Sequence, residues 1–288
     1  MPVGLRARRA YAVASVVVVF MWGVAGAALA GIGLAFRDGG SWGAGPRPEE
    51  TALEGDCPAL ALVLDDCGGS LELARRVISL DLPMTWAIIP NIKYSVATAE
   101  LLRGHGVPFL VHVPMQAEGD PDGEAGSGGR YHVGVGMGRG DVRDAMVPLL
   151  DSLEGAYGVN NHRGSKATAD AELMGHVMEL LAEREMFFMD SRTSPKSVAY
   201  DVAVAKGLGA AKNSHFLDNA SDRGKIFQTT MAAMEGARKK GSAVAICHLR
   251  PETVACLERL ALDVEDGMHK SGVMLITLPQ LADSAKGD

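Results

Sequence analysis

The stretch LALVLDDCGGSLELARRVI, residues 60–78, decides how the fold begins. Five apolar residues run into two adjacent carboxylates, Asp65 and Asp66, and a cysteine and two glycines then precede a helical pattern. A continuous apolar run of this length is typical of a strand that is covered on both faces. Two like charges at the end of a buried strand repel each other, and burial makes each harder to ionise. The pair therefore predicts a compensating cation nearby.

The rest of the chain repeats this alternation of a short apolar run and an amphipathic stretch. The predicted strands are 59–65, 84–90, 108–114, 157–162, 186–191, 208–213, 243–248 and 273–278. The predicted helices between them are 70–80, 94–104, 141–155, 170–184, 197–206, 222–240 and 251–268. Strands that alternate with helices indicate repeated βαβ units and a parallel sheet. Seven or eight such units favour an α/β fold with a barrel-like arrangement over an open sheet.

The N-terminus is a separate segment. Arg6, Arg8 and Arg9 precede an uncharged apolar run that ends at Phe36. A spanning helix needs about 20 apolar residues, whereas the core of a cleaved signal has about 7–15. The length favours a hydrophobic membrane-anchor helix over residues 1–36, with the arginines in the cytoplasm and the domain in the periplasm. A long signal cleaved near GAALAG, followed by secretion, is the alternative.

Residues 37–56 are rich in Gly, Pro and acidic residues without a period, which predicts a linker before a domain over residues 57–288.

The net charge of −7 and the lack of a basic face or RNA-type motif give no indication of nucleic-acid binding. The four cysteines, at positions 57, 67, 247 and 256, contain no CxxC pair. A zinc-finger-type site is therefore not expected, and a disulfide outside the cytoplasm stays open.

One long interruption, residues 115–141, is glycine-rich and has no period. Loops of this length in compact domains are usually functional or disordered. Because it follows a predicted strand, we interpret it as a loop that borders a site, with a mobile surface insertion as the alternative.

Polar residues collect where the predicted strands end. Six strand ends carry ionisable residues, and these are Asp65 and Asp66, His112, His162, Asp190 and Arg192, His215 and Asp218, and His248. The beginnings of the same strands are Ala, Met, Pro, Tyr and Gly. Active sites of parallel α/β barrels are built from the C-terminal ends of several strands. This asymmetry therefore predicts a site at that end.

The residue types indicate a metal site. Neutral histidines and a carboxylate from separate strands can hold a divalent metal, and three protein ligands are usual for catalytic zinc. A cation would neutralise one of the paired aspartates and leave the other to act as a base toward water.

Six segments occur in order across residues 59–278, namely LVLDDCG, HVPMQ, GVNNHRGS, FFMDSRT, FLDN and AICHLRPET. Together they resemble the divergent polysaccharide deacetylase family of bacterial envelopes, which is related to the chitooligosaccharide deacetylase superfamily. The resemblance implies a distorted (β/α)7 barrel of the glycoside hydrolase/deacetylase type and a bound divalent metal, for which we predict zinc.

The resemblance also implies roles for the site residues. Asp65 matches the base and Asp66 a metal ligand of the superfamily's DDG-type motif. His162 matches the first histidine of a His-x-x-x-His motif, but Lys166 stands at the second position. We therefore predict that His112, from a neighbouring strand, supplies the missing ligand.

Two further motifs complete the predicted machinery. Arg192 resembles the arginine that braces the base, and His248 resembles the general acid. Asp190 is predicted to line the site and to position Arg192, and is grouped with these catalytic residues. The predicted substrate-binding residues are Asn161, Ser165, Ser191 and Asp218. The remaining histidines on helix or loop patterns, at positions 105, 132, 176 and 269, are expected to be solvated.

The leading hypothesis is a metal-dependent hydrolase that removes acetyl groups from an N-acetylated envelope polysaccharide by cleaving a linear amide C–N bond. The alternative is a non-catalytic envelope protein with a deacetylase-like fold, which binds glycan or a cell-wall enzyme. Lys166 keeps this alternative open, whereas the presence of Asp65 and His248 favours catalysis. Ester cleavage is a third, weaker option, because fold analogy does not select the substrate.

Overall fold

A computed structural model describes residues 57–125 and 130–284. The predicted membrane anchor, residues 1–36, and the predicted linker, residues 37–56, lie outside these ranges. Within the described ranges, no helix combines the length and the hydropathy that crossing a membrane requires.

The described chain alternates strands and helices, as the sequence predicts, except that the helix predicted over residues 251–268 ends at Ala261 and is followed by two short strands. The strands are β1 (Ala59–Cys67), β2 (Thr85–Ile88), β3 (Phe109–Met115), β4 (Gly158–Arg163), β5 (Phe187–Asp190), β6 (Ala210–Lys212), β7 (His215–Phe216), β8 (Ser242–His248), β9 (Val264–Glu265), β10 (Met268–His269) and β11 (Val273–Ile276). The helices are α1 (Leu71–Ile78), α2 (Ser95–Gly104), α3 (Arg139–Asp151), α4 (Ala171–Glu183), α5 (Ala199–Ala205), α6 (Arg223–Lys240), α7 (Pro251–Ala261) and α8 (Leu278–Ser284).

The strands form one mostly parallel sheet. From β1 the sheet runs in parallel through β2, β3, β4 and β5 to β6. The N-terminal residues of β1 pair in parallel with β11 on the same side as β2, and on its other side β1 pairs in parallel with β8 along seven residues. The short β7 pairs with β8, and β9 and β10 add antiparallel strands beyond β11. The predicted α/β class is thus confirmed.

Each long strand contributes to two separate apolar layers, because successive side chains point to opposite faces. In β1 the side chains of Leu60, Leu62 and Leu64 pack in the layer beneath the helices. Ala61 and Val63 belong to a second, smaller layer with residues of β2, β3, β5, β6 and β8, and this layer defines the inner face of the sheet. Continuous burial on both faces explains why the strands read as unbroken apolar runs.

Local sequence signals fix the ends of several helices. Ser70 accepts a hydrogen bond from the backbone N–H of Leu73 and so caps α1 directly after the strand that carries the two aspartates. Asp170 and Asp222 cap α4 and α6 in the same manner. These N-caps satisfy backbone donors that a helix leaves free, and they set where each loop at the C-terminal end of the sheet stops.

Candidate active site

Four polar side chains continue the inner face at the C-terminal ends of its strands. Asp65 follows Val63 in β1, and His248 follows Ile246 in β8, with Val63 and Ile246 both in the inner apolar layer. Asp65 and His248 are register partners on paired strands. Farther along the same sheet, beyond β2, His112 and Asn160 are register partners in β3 and β4. Strand alternation therefore places a carboxylate, two imidazoles and an amide around one end of the sheet.

Asp66 joins them through an irregularity in β1. By strict alternation it would point to the helix-covered face, as Leu64 does. The register with β2 shifts between Leu64 and Cys67, and Asp66 has a φ of 59°. A bulge of this kind re-aims a side chain, and a left-handed conformation is uncommon for a residue other than glycine. The distortion allows two consecutive aspartates to face the same site.

Asp66, His112 and His162 form a compact group of potential metal ligands. Their nearest ligand atoms all lie within 4.8 Å of one another. The Oδ1 atom of Asp66 is 3.1 Å from Nδ1 of His162 and 3.4 Å from Nε2 of His112. The two imidazole nitrogens are 3.1 Å apart. One carboxylate oxygen and two ring nitrogens thus converge on one point.

The surroundings of this group fit a divalent metal. Oδ1 of Asp66 is buried and faces the two imidazole nitrogens without a hydrogen bond of regular geometry, although unpaired buried acceptors are rare and costly. Burial raises the pKa of Asp66, but His112 and His162 outweigh it and hold that pKa well below its usual range. Nδ1 of His112 lies 2.7 Å from the side-chain oxygen of Asn160, which as an acceptor fixes the proton on Nδ1. Nε2 then keeps its lone pair toward the group, an arrangement typical of metal-ligating histidines.

Asp65 lies next to this group and is held by an amide. Its side chain is buried, and its Oδ1 accepts a hydrogen bond of 2.9 Å from Asn160. Oδ2 of Asp65 is 3.6 Å from Nε2 of His112. Burial raises the pKa of Asp65 above its ordinary value, and Asp66 adds to this, although His112, His248 and Asn160 act in the opposite direction. A raised pKa suits a carboxylate that takes up a proton near neutral pH.

His248 is oriented by a buried carboxylate. Asp218 accepts hydrogen bonds from the ring Nδ1 of His248 at 2.7 Å, from its backbone N–H at 2.8 Å and from the hydroxyl of Thr253 at 2.6 Å. Burial lowers the pKa of His248, but the bond to Asp218 and the charges of Asp218, Asp66 and Asp65 raise it above its ordinary value. With Nδ1 engaged, Nε2 is the ring atom that remains for proton transfer.

The family described as divergent polysaccharide deacetylase matches residues 62–282. The chain belongs to this family. The family assignment that the sequence motifs indicate is thereby confirmed.

Two curated relatives are similar over most of the domain. An uncharacterized protein of Haemophilus influenzae is 36% identical over 199 residues, which is 69% of each chain. The uncharacterized protein YibQ of Escherichia coli is 26% identical over 205 residues, which cover 71% of this chain and 63% of YibQ. Among solved structures, an uncharacterized protein of Agrobacterium tumefaciens is similar in fold with a TM-score of 0.71. It is 20% identical, and the match covers 82% of this chain and 92% of that one.

The departure from the superfamily's histidine motif has a structural counterpart. Lys166 forms an ion pair with Asp122 in the long loop after β3 and does not join the metal-ligand group. His112, from β3, contributes the second imidazole of this group. That these residues bind a metal stays a prediction.

The long loop is tied to the end of β4, beside the site. Arg163 binds Asp120 at 2.9 Å, and the hydroxyl of Ser165 accepts a hydrogen bond from the backbone N–H of Glu118. In its described part the loop therefore borders the site, as expected. Ser165, predicted to bind substrate, instead has its hydroxyl engaged in holding this loop.

Arg192 does not brace Asp65, and this prediction is wrong. Within the described ranges the guanidinium of Arg192 has no hydrogen bond or ion pair, and Asn160 is the amide that holds Asp65. Asp190 is fully buried on the helix-covered face, where Phe188 of the same strand also points. Its two oxygens bind the backbone N–H of Arg192 and the hydroxyl of Ser197. Asp190 therefore positions the turn at Arg192, and its catalytic grouping is also wrong.

Three of the predicted substrate-binding residues hold the protein's own structure. Asn161 donates to the carbonyl of Arg163 and accepts from the backbone N–H of Ser191, which uses both ends of its amide. Ser191 is buried, with its hydroxyl 3.4 Å from the amide nitrogen of Asn160. Asp218 orients His248. The prediction of substrate contact for Asn161, Ser191 and Asp218 is corrected accordingly, because their polar atoms are already paired below the surface.

Two site residues were missed by the sequence analysis. Asn160 precedes Asn161, the asparagine predicted to bind substrate. Because side chains alternate along a strand, Asn160 lies on the same face as His162, and this pattern assigns it to the inner face. Arg250 lies 3.8 Å from Oδ2 of Asp66 and is a cation near the paired aspartates. It follows His248 in the quoted motif, but no pattern marks it as a neighbour of β1.

The other histidines and the cysteines are outside the candidate site. His105 is exposed, and His132 and His176 are partly buried. His269 is buried at 2% exposure, so the expectation that it is solvated is wrong, since it lies in β10 between β9 and β11. All four cysteines are free thiols, with Cys67 and Cys247 buried.

Proposed function

We propose that the protein is a zinc-dependent hydrolase that removes acetyl groups from an N-acetylated envelope polysaccharide. The observation that carries the proposal is the convergence of Asp66, His112 and His162 beside a buried carboxylate, Asp65, and a carboxylate-bound imidazole, His248. Family membership supports an acetylated glycan as the substrate. The parallel strands whose C-terminal ends carry the site residues support the distorted (β/α)7 barrel that the sequence resemblance implies.

The ligand set suits zinc. Two imidazoles and one carboxylate are a recognised donor set for catalytic zinc, with one position left for substrate or water. A divalent ion held by Asp66, His112 and His162 would act as a Lewis acid that polarises the amide carbonyl and makes water more acidic. Asn160 fixes the tautomer of His112 and holds Asp65 through the same amide, so that ligand and base keep one relative position.

Asp65 and His248 divide the proton transfers. Asp65 takes a proton from the attacking water as the oxygen adds to the amide carbon. His248 gives a proton from Nε2 to the amide nitrogen as the C–N bond breaks, and acetate and a free amine leave. A raised pKa at each residue favours these roles, because a base and an acid are most effective near the working pH.

The paired aspartates allow the first test. We expect Asp66→Asn to lose metal and therefore activity. Asp65→Asn should keep metal and lose turnover by about 10²–10⁴-fold, because an amide does not accept the proton. Metal content by mass spectrometry and acetate release from N-acetylated envelope glycans measure the two effects. Loss of metal from Asp65→Asn with retention in Asp66→Asn would reverse the roles.

A histidine pair provides a matched control for the metal. His162→Ala should lower metal occupancy strongly, because three protein ligands leave little redundancy. His105→Ala, at the exposed C-cap of α2, should leave metal content unchanged. Equal metal content in both variants would remove His162 from the proposed site.

We further propose that residues 1–36 anchor the protein in the inner membrane with its domain in the periplasm. Cell fractionation and N-terminal sequencing of the mature protein test this. A soluble periplasmic species that begins near residue 30 would replace the anchor with a cleaved signal.

The second candidate is a non-catalytic glycan-binding or enzyme-binding envelope protein. The replacement of a motif histidine by Lys166, which pairs with Asp122, favours it. Full activity of both aspartate variants on a confirmed substrate would exclude the catalytic centre described here. Glycan binding without acetate release in the metal-loaded protein would establish the binding function instead.

A further inference from the structure

A positively charged cleft lies at the seam between β6 and β8. Within the part of the chain that the structure describes, β6 pairs with β5, whereas β8 pairs with β1 and β7. The chain between β6 and β7 first bonds to β8 through the backbone N–H of Ser214, which donates to the carbonyl of Val244. The preceding residues therefore leave the start of β8 without a partner strand on the side that faces away from β1. A cleft of about 480 Å³ occupies this gap.

The lining of the cleft is cationic. Three permanent cations, Arg192, Lys212 and Lys240, line it, together with the polar His215, Asn213 and Ser214. None of its lining residues in the described ranges is an aspartate or a glutamate. The chain as a whole has a net charge of −7, so the clustering of cations here does not follow from composition.

These cations lack counter-ions. Within the described ranges, no ion pair involves Arg192, Lys212 or Lys240, whereas Arg139, Arg163 and Lys206 each form one. The ammonium group of Lys212 lies 4.3 Å from the ring centroid of Tyr200, which orients it without neutralising it. Like charges that share a cleft repel each other, and an anion would remove that cost.

The protein fixes the backbone at Arg192 and leaves room for the ring of His215. The backbone N–H of Arg192 is bound by the buried Asp190, and Arg192 has a φ of 53°. The ring of His215 lies against Gly236 of α6, where an added Cβ would be 3.0 Å from Cε1 of the ring. Glycine at this position thus leaves room for the imidazole beside the last turn of α6.

We propose that this cleft binds a phosphate group, either free or as a monoester on a sugar. The planar guanidinium of Arg192 presents a fork of donors that matches two phosphate oxygens, and the two ammonium groups add point charges. A phosphate dianion neutralises more of the three permanent charges than a carboxylate does. This site is separate from the metal-ligand group and does not depend on the proposed deacetylation.

Binding of inorganic phosphate to the full-length protein in detergent tests the site. The titration is done calorimetrically after EDTA treatment, so that a metal at the other site does not contribute. Lys212→Gln and Lys240→Gln should each weaken binding by about tenfold, the loss of one charge-assisted hydrogen bond. Acetate should bind more weakly than phosphate, and added chloride should weaken phosphate binding.

Lys239→Gln is the matched control. Lys239 precedes Lys240 on α6, pairs with Glu235 and does not line the cleft, so this variant changes the net charge equally and should bind phosphate like the wild type. N-acetylglucosamine 6-phosphate distinguishes the two sources of phosphate: tighter binding than inorganic phosphate indicates a sugar monoester, and equal binding indicates the free ion. Absence of phosphate binding, or an equal loss in the Lys239 and Lys240 variants, would overturn the proposal. Far-ultraviolet circular dichroism verifies that each variant is folded.

Discussion

Replacement of Asp218 by Asn isolates the role of the carboxylate behind His248. Asp218 is 1% exposed, and its two oxygens accept three hydrogen bonds. An asparagine whose oxygen stays on the backbone N–H of His248 and the hydroxyl of Thr253 turns its NH₂ group toward Nδ1. The ring then accepts a hydrogen bond at Nδ1 and carries its proton on Nε2 as a neutral imidazole.

The size of the effect follows from the bonds that change. A hydrogen bond to a charged group contributes about 1.5–3 kcal/mol, and one of the three bonds is reversed. We expect the free energy of unfolding to fall by about 1–3 kcal/mol, with a melting temperature lower by about 2–4 °C per kcal/mol. The acid in the proposed reaction is lost, so turnover should fall by about 10²–10⁴-fold.

The pH dependence has a defined sign. The pKa of His248 is raised in the folded protein above its ordinary value of 6.5. The stabilisation that accompanies its protonation is complete below that ordinary value and is lost as the pH rises through the folded value. Asp218→Asn should remove this dependence and lower the pKa of His248.

Nuclear magnetic resonance titration of the His248 ring and thermal unfolding at several pH values measure these effects without a substrate. Asp263→Asn is the control, because Asp263 also forms an ion pair, with Lys270 at 2.7 Å, but away from the site. An unchanged pKa of His248 in Asp218→Asn would refute the argument, as would an equal decrease in the control.

Three further predictions concern the metal, the amide beside it and the sheet. Added zinc at 100 times its Kd should raise the free energy of unfolding by about 2.7 kcal/mol, as thermal unfolding with and without EDTA would show, and an unaltered melting temperature would contradict a folded-state zinc site. Asn160→Ala removes the partner of both His112 and Asp65, so zinc affinity should fall by about 10–100-fold in a competition titration, and retained affinity would exclude that role. Gly158→Ala places a Cβ 2.2 Å from the carbonyl oxygen of Phe187 and should destabilise the protein by more than about 2 kcal/mol, whereas Gly175→Ala in α4 meets no atom within 4 Å and should stabilise it by about 0.5–1 kcal/mol. Equal unfolding free energies for the two glycine variants would disagree with the packing described.

The sequence alone determined where β1 to β6, β8 and β11 lie and which of their ends carries chemistry. Apolar runs such as residues 59–65 and 243–248 lie within β1 and β8 because a strand buried on both faces needs apolar residues throughout. This pattern and the family motifs predict Asp66, His112 and His162 as metal ligands, and these three residues lie together in the structure. Both signals are local, and parallel strands carry their C-terminal ends to the same edge.

The tertiary structure decided which of these strand-end residues face one another. Successive residues of a strand point to opposite faces, so Asn160 reaches Asp65 whereas Asn161 binds backbone on the other side. The bulge that turns Asp66 inward depends on pairing with β2, and the distance from Arg250 to Asp66 depends on β8 lying beside β1. Arg192 comes just after the four-residue strand β5 and lines the cleft beside β6. At Asp65, the amide of Asn160 occupies the position that was predicted for Arg192. Strand composition does not encode these relations, because they arise only when separate strands are brought into register.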